Sequence, residues 1–356
     1  MPIGPIVGGF LLEHYWWGSV FLINVPVVLV AIAAGAFLIP SSVRRDTPLD
    51  WVGAGLIVAG LFLLVYGLIE APRYGWTSPT TLGLLAGALV ILIGFYAWQT
   101  RTPHALLPPS LLRVPRFSVT AGAIILMAFG LFGVIYILTQ YLQLILGYSP
   151  LQAGIRLMPI GTIAVGAGIG LMLARRIGTK WVLVAGLLVM AVGQVVLAGI
   201  GADTEGRALW ALAVVGLGLG SLGPASDLLL GAVPADKAGI GSAMTDTTLQ
   251  LGGSLGVAVL GSVIATSYTN GVTPVLAATS AVPADTVASA ANSLSSGLSL
   301  AAQLGSSGDA LRAAAIDGFL SGAQTSLVIA CTVTIIGAVL SAWLLPGRTE
   351  TTSPAG

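Results

Sequence analysis

Two aspartates stand beside apolar stretches of the sequence, where a carboxyl group could take up and release a proton. Asp246 precedes the apolar part of GSAMTDTTLQLGGSLGVAVLGSV, and Asp227 lies in GPASDLLLGAVP at the end of another run. Removal from water disfavours a carboxylate and raises its pKa toward the range of proton exchange. Acids at membrane depth are costly and are therefore functional candidates by default. Either group could instead be structural, and for Asp227 we favour the structural role.

A second polar group lies between two apolar runs. Gln140, Tyr141 and Gln143 close one run, and Arg156 opens the next after GYSPLQAGI. Gln140 and Gln143 occupy neighbouring positions on a helix face. These four residues could line a polar cavity for a substrate, although a cap at the membrane interface is an alternative.

Residues typical of other chemistries are absent from the sequence. His14, His104 and Cys331 are far apart and have no metal-ligand spacing, so we predict no metal site. No phosphate-binding loop and no Ser-His-Asp arrangement occur, so we predict no cofactor, no enzymatic activity and no ATP-driven pumping. The net charge of +1 gives no indication of nucleic-acid binding.

The elements that carry these residues are predicted to be membrane-spanning helices. Charged residues make up 8% of the chain, hydrophobic residues make up 56%, and the mean hydropathy is +0.98. A water-soluble surface cannot be built from so few charges, so we predict an all-α polytopic membrane protein. With the opening PIGPIVGGFLL counted as a span, about ten segments are present. The nine longer runs are Ser19–Ile39, Val52–Ile69, Leu82–Trp98, Val119–Leu146, Ile155–Ala174, Val182–Ile200, Ala208–Leu230, Leu251–Ala265 and Phe319–Leu345.

The basic residues predict the orientation of the chain, because Lys and Arg accumulate in cytoplasmic loops. Ten of the 14 fall in one alternate set of joints and four in or near the other. The larger set includes the tail, which predicts a multi-pass cell-membrane protein with a cytoplasmic C-terminus. Its members are Arg44, Arg45, Arg101, Arg113, Arg116, Arg175, Arg176, Lys180, Lys237 and Arg348.

Small residues predict close helix packing, since they let backbones approach in lipid. Four Gly-x-x-x-Gly pairs begin at Gly4, Gly166, Gly216 and Gly252. The long joint 269–317, rich in Ala, Ser and Gly, is predicted to be an extracytoplasmic loop, either without structure or with short surface helices, and a low-complexity spacer is the favoured interpretation of its function.

The stretch GPIVGGFLLEHYWWGSVFLINVPV resembles the fifth and sixth helices of the fourteen-helix drug:proton antiporters of the major facilitator superfamily. Gly4, Pro5, Gly8 and Gly9 match the antiporter motif G-P-x-x-G-G. In this family the motif implies a packing hinge. The Arg that commonly follows the Trp is Gly18 here.

Later stretches extend the resemblance over almost the whole chain. YLQLILGYSPLQAGIRLMP and AGIGSAMTDTTLQLGGSLGVAVLGS match in order, although Leu249 stands where an Arg is usual. GLMLARRIGTKW resembles a degenerate loop motif G-x-x-x-D-R-x-G-R-R whose acid is missing. The retained residues are Gly170, Arg175 or Arg176, Gly178 and Lys180.

The resemblance implies a major facilitator-type helical bundle that lacks its first four helices, through a misassigned start or gene damage. Residues 1–45 correspond to the end of the N-terminal bundle and 46–100 to an extra helix pair. Residues 101–116 are a cytoplasmic loop, 117–345 a six-helix C-terminal bundle, and 346–356 a cytoplasmic tail.

The resemblance further implies a secondary transporter that exports drugs or other amphipathic small molecules in exchange for protons. Asp246 is the expected proton carrier, and the partners are the substrate, protons and the lipid bilayer. The alternatives are an exporter of one metabolite or self-made antibiotic, and a membrane protein that does not transport. Without the first helices, we expect the 356-residue chain alone to be inactive.

Overall fold

The computed structural model describes residues 3–38, 49–201, 204–233, 238–278 and 282–346. Within these ranges the chain is helical and contains no β-strand. Nine helical segments of the described chain are long and apolar enough to cross a membrane. They coincide with the nine predicted runs, which confirms the prediction of an all-α polytopic membrane protein. Four residues used for the orientation lie outside the described ranges, namely Arg44, Arg45, Lys237 and Arg348.

The helices follow one another through short joints. The first part contains α1 (Ile3–His14), α2 (Ser19–Leu22), α3 (Asn24–Leu38), α4 (Trp51–Tyr74), α5 (Pro79–Gln99) and α6 (Pro109–Leu112). The middle contains α7 (Pro115–Gln140), α8 (Pro150–Arg156), α9 (Ile163–Ile177), α10 (Thr179–Ala198), α11 (Glu205–Leu219) and α12 (Leu222–Leu230). The last part contains α13 (Ala238–Ala277), α14 (Ala284–Asn292), α15 (Leu294–Gln303) and α16 (Asp309–Leu344).

The main bundle is built from α7 to α13 and α16. The helix α13 packs on α7 and α16, and α10 packs on α16 and α11. A Cβ built on Gly256 would lie 2.3 Å from the carbonyl oxygen of Phe129, and one on Gly166 would lie 2.2 Å from that of Leu217. Backbones therefore touch directly, as small residues in lipid allow.

Close packing is confirmed at three of the four predicted glycine pairs, those that begin at Gly166, Gly216 and Gly252. The pair Gly4 and Gly8 differs, because a Cβ on either would meet nothing within 4 Å in the described chain.

The helix pair α4 and α5 packs together and on α13. The indole Nε1 of Trp76 donates to Thr266 Oγ1 at 3.2 Å, and Ser262 Oγ donates to the carbonyl oxygen of Leu68. At the other end of the pair, Asp50 caps α4 by accepting from the backbone N–H of Gly53 at 2.8 Å.

Asp50 also ties α4 to α5. It accepts from Trp98 Nε1 at 2.9 Å and from Gln99 Nε2 at 2.7 Å. Burial by itself raises the pKa of this carboxyl, but the hydrogen bonds from Gly53, Trp98 and Gln99 together outweigh burial and hold its pKa below the usual value.

The joint between α13 and α16 contains short helices, as one of the two expectations allowed, and they form a folded cap. The long helices run into the predicted loop, and α14 and α15 fill the remainder. Tyr268 donates its hydroxyl to the carbonyl oxygen of Ala290 at 2.7 Å, and Leu294 and Leu300 are buried. Small apolar residues on these two helices pack on α13 and α16, so the composition that suggests low complexity builds a helical cap instead.

Candidate functional site

The first predicted element of the site is the contact of α1 with α8. A Cβ on Gly9 would lie 2.6 Å from the carbonyl oxygen of Pro150 and 2.7 Å from the Cα of Leu151. A Cβ on Gly154 would lie 2.4 Å from the carbonyl oxygen of Pro5. The two helices therefore cross backbone to backbone, and each contributes a glycine that no larger residue could replace without a shift.

Of the four residues of the predicted motif, Pro5 and Gly9 lie in this contact. Gly4 is exposed and Gly8 is half-buried, and neither has a close neighbour in the described chain. At the end of α1, Glu13 accepts a hydrogen bond from Ser149 Oγ at 3.2 Å. We call this end of the bundle the Glu13 face.

Polar residues at the end of α7 lie near the same face. The helix widens into a π-helical turn at Tyr141–Ile145, a feature frequent at functional sites. Tyr141 is buried and donates its hydroxyl to the carbonyl oxygen of Gly201 at 2.8 Å. The buried Nε2 atom of Gln140 has no hydrogen-bond partner in the described chain, and Gln143 is half-buried.

Arg156 belongs to a three-residue cluster at the Glu13 face. Its guanidinium carbon lies 3.7 Å from the centre of the Tyr148 ring, and its Nε donates to Glu205 Oε1 at 2.6 Å. Tyr148 donates its hydroxyl to the other oxygen of Glu205, also at 2.6 Å. The cluster joins the α7–α8 joint to the start of α11. The positive charge of Arg156, which the sequence analysis assigned to a substrate cavity, is paired here with Glu205.

The two candidate proton carriers lie apart from these residues. Asp246 is more than two turns into α13 and is exposed, and Asp227 is exposed on α12. Neither carboxylate forms a hydrogen bond or ion pair with a residue that the structure describes. The described helices thus do not bring Asp246 together with Gln140, Gln143 or Arg156.

The predicted loop motif forms the joint between α9 and α10 at the opposite end, which we call the Lys180 face. Gly178 has a φ of +88°, a conformation that favours glycine, and begins α10. Gly170 packs against the backbone of Gly220, where its Cβ would lie 3.3 Å from the carbonyl oxygen. Lys180 donates to the carbonyl oxygen of Leu345 at 2.7 Å. Arg175 and Arg176 are exposed at the end of α9.

Sequence reasoning missed one buried polar residue, Gln194. Its side chain is fully buried between α7, α10 and α16, and neither amide atom has a hydrogen-bond partner in the described chain. A Cβ on Gly130 would lie 2.3 Å from its Nε2 and 3.3 Å from Thr334 Oγ1. The lone amide within the apolar run Val182–Ile200 was a usable signal. Glu205 was also missed, and no local spacing could have paired it with Arg156, 49 positions earlier.

Comparison with known proteins identifies the family. Residues 1–257 match the sequence model of the Major Facilitator Superfamily. The chain is 37% identical, over 74% of its length and 50% of the relative's, to the tetracenomycin C resistance and export protein of Streptomyces glaucescens. It is 34% identical, over 76% of its length and 54% of the relative's, to the multidrug efflux pump LfrA of Mycolicibacterium smegmatis.

A third relative matches along almost the entire chain. The puromycin resistance protein pur8 of Streptomyces alboniger is 31% identical over 99% of this chain and 65% of its own length. The chain thus spans about half to two thirds of the length of these relatives. With its membrane-spanning helices and the match over residues 1–257, the chain belongs to the Major Facilitator Superfamily.

Proposed function

We propose that this chain belongs to a secondary transporter that exports drugs or other amphipathic small molecules across the cell membrane, driven by protons. The observation that carries the proposal is its similarity to three superfamily members named for resistance, export or efflux. Family membership makes a transporter the expected activity, and the relatives' names supply the direction of transport and the class of substrate.

The contact of α1 with α8 is the proposed packing hinge. In transporters of this kind two bundles rock around a site near the middle of the membrane. At Gly9 and Gly154 the helices α1 and α8 cross with no side chain between their backbones, so one helix can slide along the other. On this view α1 to α3 are the end of the first bundle, α4 and α5 an additional pair, and α7 to α13 with α16 the second bundle.

Asp246 is the proposed proton carrier. It lies on α13, which packs on both α7 and α16, so a change of its charge acts on a helix at the centre of the bundle. Asp227 is the weaker candidate, since α12 is a short helix near the end of its span.

Gln140 and Gln143 are the proposed cavity residues, because the unpartnered amide of Gln140 can still bind a ligand. Tyr141 orients this turn through its bond to Gly201. Arg156 is held by Glu205, so we assign it the positioning of α8.

The proposed orientation places the Lys180 face in the cytoplasm, together with the C-terminus, because Lys and Arg concentrate there. Fusion of a cytoplasm-specific fluorescent reporter after residue 356 is expected to give signal. Activity of a periplasmic phosphatase reporter at the same position would contradict the orientation.

The function is tested by efflux in a pump-deficient host that carries the gene with its natural upstream sequence. Asp246→Asn is expected to abolish efflux driven by a pH gradient, whereas Asp227→Asn, the matched control, retains most of it. Equal activity of both variants and the parent would refute the role of Asp246. Failure of the parent to lower accumulation of any cationic or amphipathic drug would refute the function itself.

Export of a single antibiotic is the second candidate, favoured by relatives named for tetracenomycin C and puromycin. A panel of unrelated drugs separates the two, because a multidrug exporter protects against several of them and a dedicated exporter protects against one.

A further inference from the structure

A cavity of about 300 Å³ opens at the Lys180 face, where α7 and α10 begin and α9 and α16 end. We call it the basic cavity, and its lining includes Arg116, Gly178, Lys180, Trp181 and Leu345. Two lining residues are cationic, and no lining residue is acidic. The charge of the cavity is therefore positive, which selects for an anion.

The two cations have no carboxylate partner in the described chain. Lys180 donates to a backbone carbonyl oxygen, that of Leu345, and its ammonium nitrogen lies 5.4 Å from the centre of the Trp181 ring. Arg116 is exposed and forms no ion pair with a described residue. The stretch Gly170–Lys180 contains no Asp or Glu, and Asp227, which is next to the lining residue Leu228 on α12, forms no ion pair with a described residue.

Backbone groups add to the positive field. The helix α10 is 20 residues long and begins at Thr179, and Gly178 before it provides no side-chain cap. The first N–H groups of a helix have no intrahelical partner and carry the positive end of the helix dipole. Gly178, Thr179 and Lys180 line the cavity, so these groups reinforce the two cationic side chains.

Exposed apolar side chains border the cavity. Trp181 is 49% exposed, Ile177 is 44% exposed, and both line the cavity. Tryptophan concentrates at the level of lipid headgroups, where its ring is apolar and its N–H is wet. An anionic ligand that carries an apolar part can therefore place that part against Trp181 and Ile177.

We propose that the basic cavity binds the phosphate headgroup of an anionic phospholipid, with Arg116 and Lys180 on the phosphate and Trp181 against the glycerol region. Basic pockets between membrane helices bind such headgroups in other proteins. Soluble phosphate has the same charge but no apolar part, so it serves as the competing ligand in the test.

The test uses the purified chain and native mass spectrometry, with phosphatidylglycerol and phosphatidylcholine as probes. Arg116→Gln and Lys180→Gln are each expected to weaken phosphatidylglycerol binding about fivefold, because each removes one cation from the headgroup. Lys180→Arg keeps the charge and is expected to keep the binding. Arg113→Gln is the matched control, since Arg113 is exposed in the joint between α6 and α7, close to Arg116 in sequence, and does not line the cavity.

Three results would overturn the proposal. Equal binding of phosphatidylcholine would show that the charge is not recognised, and an equal loss in Arg113→Gln would show diffuse attraction to the whole face. Displacement of phosphatidylglycerol by millimolar inorganic phosphate would assign the cavity to a soluble anion. Thermal unfolding in neutral detergent is measured for each variant, and a variant that unfolds early is replaced by Arg116→Lys, which is expected to bind.

Discussion

Two spans of nearly equal hydropathy occupy opposite environments in this molecule. An 18-residue apolar stretch of Ser19–Leu38 has a mean hydropathy of 2.5 and no buried residue, whereas one of Pro115–Ile145 has 2.4 and 67% of its residues are buried. Hydropathy therefore identifies helices that enter lipid but does not distinguish the packed ones. In lipid, contacts between helices depend on small residues and polar groups. The packed segment has Gly130 and Gly133 in tight contacts, and no residue of α3 is buried.

Gly256→Leu gives the largest expected effect, because its Cβ would lie 2.3 Å from a backbone oxygen of α7. Overpacking against a backbone that cannot move is expected to cost about 3 kcal/mol or more. The expected outcome is loss of the monodisperse peak in detergent chromatography. Ala33→Leu on the exposed α3 is the matched control and is expected to elute like the parent. Aggregation of both variants would contradict the conclusion that the packed helices tolerate a larger side chain less well than the exposed α3.

Gly9→Leu is expected to separate α1 from α8 at a cost of about 1–3 kcal/mol, since the new side chain meets the backbone at Pro150 and Leu151. Cross-link trapping between cysteines at positions 13 and 149, where Glu13 and Ser149 are hydrogen-bonded in the parent, measures the contact and should fall sharply. Gly4→Leu, with open space around its Cβ, should trap like the parent. Equal trapping in all three proteins would exclude Gly9 as a packing residue.

Gln194→Met is expected to stabilise the bundle by about 1 kcal/mol, because it removes two buried polar atoms that have no partner in the described chain. Thermal unfolding in detergent measures the change. The neighbouring substitution Met190→Leu should have a smaller effect, since it keeps the site apolar. Destabilisation by Gln194→Met would instead show that the amide binds a group such as water or a substrate.

Asp50→Asn is expected to have the smallest effect, about 1 kcal/mol at neutral pH, through weaker bonds to Gly53, Trp98 and Gln99. The pKa of Asp50 is lowered in the folded protein, so its contribution is present above the unfolded pKa and is lost as pH falls through the folded pKa. The difference in unfolding temperature between parent and variant should therefore shrink below about pH 4. A difference that does not shrink at all as the pH falls below about 4 would contradict this origin.

The sequence predicts the spans well and the side-chain pairs poorly. Long apolar runs report directly on transfer to lipid, so each predicted run overlaps one of the nine spans of the described chain. The spans Gly239–Ala277 and Gly305–Leu344 extend well beyond the predicted Leu251–Ala265 and Phe319–Leu345, because their outer turns are less apolar. The Glu205 pairing with Arg156 depends on how two distant joints meet, which no local pattern contains. The motif at Gly4–Gly9 is evident from residue types and spacing alone. Only Pro5 and Gly9 of its four residues contact α8, because a helix presents one face to its neighbour.

The joint after α13 shows a related limit. The Ala, Ser and Gly content of this joint is typical of a flexible linker. The joint nevertheless forms α14 and α15, because α13 and α16 provide apolar surface on which the short helices pack. Leu294 and Leu300 are buried, and α14 packs on α13 while α15 packs on α16.

The lengths of α13 and α16 have a mechanical consequence. At 1.5 Å per residue their 40 and 36 residues measure about 60 and 54 Å, nearly twice the hydrocarbon thickness of a bilayer. Tyr268 on α13 is hydrogen-bonded to the cap of α14 and α15, so we expect the cap and the two long helices to move together as one rigid unit. A rigid protein that binds the cap is therefore expected to reorient α13 and α16 within the bundle without itself entering the membrane.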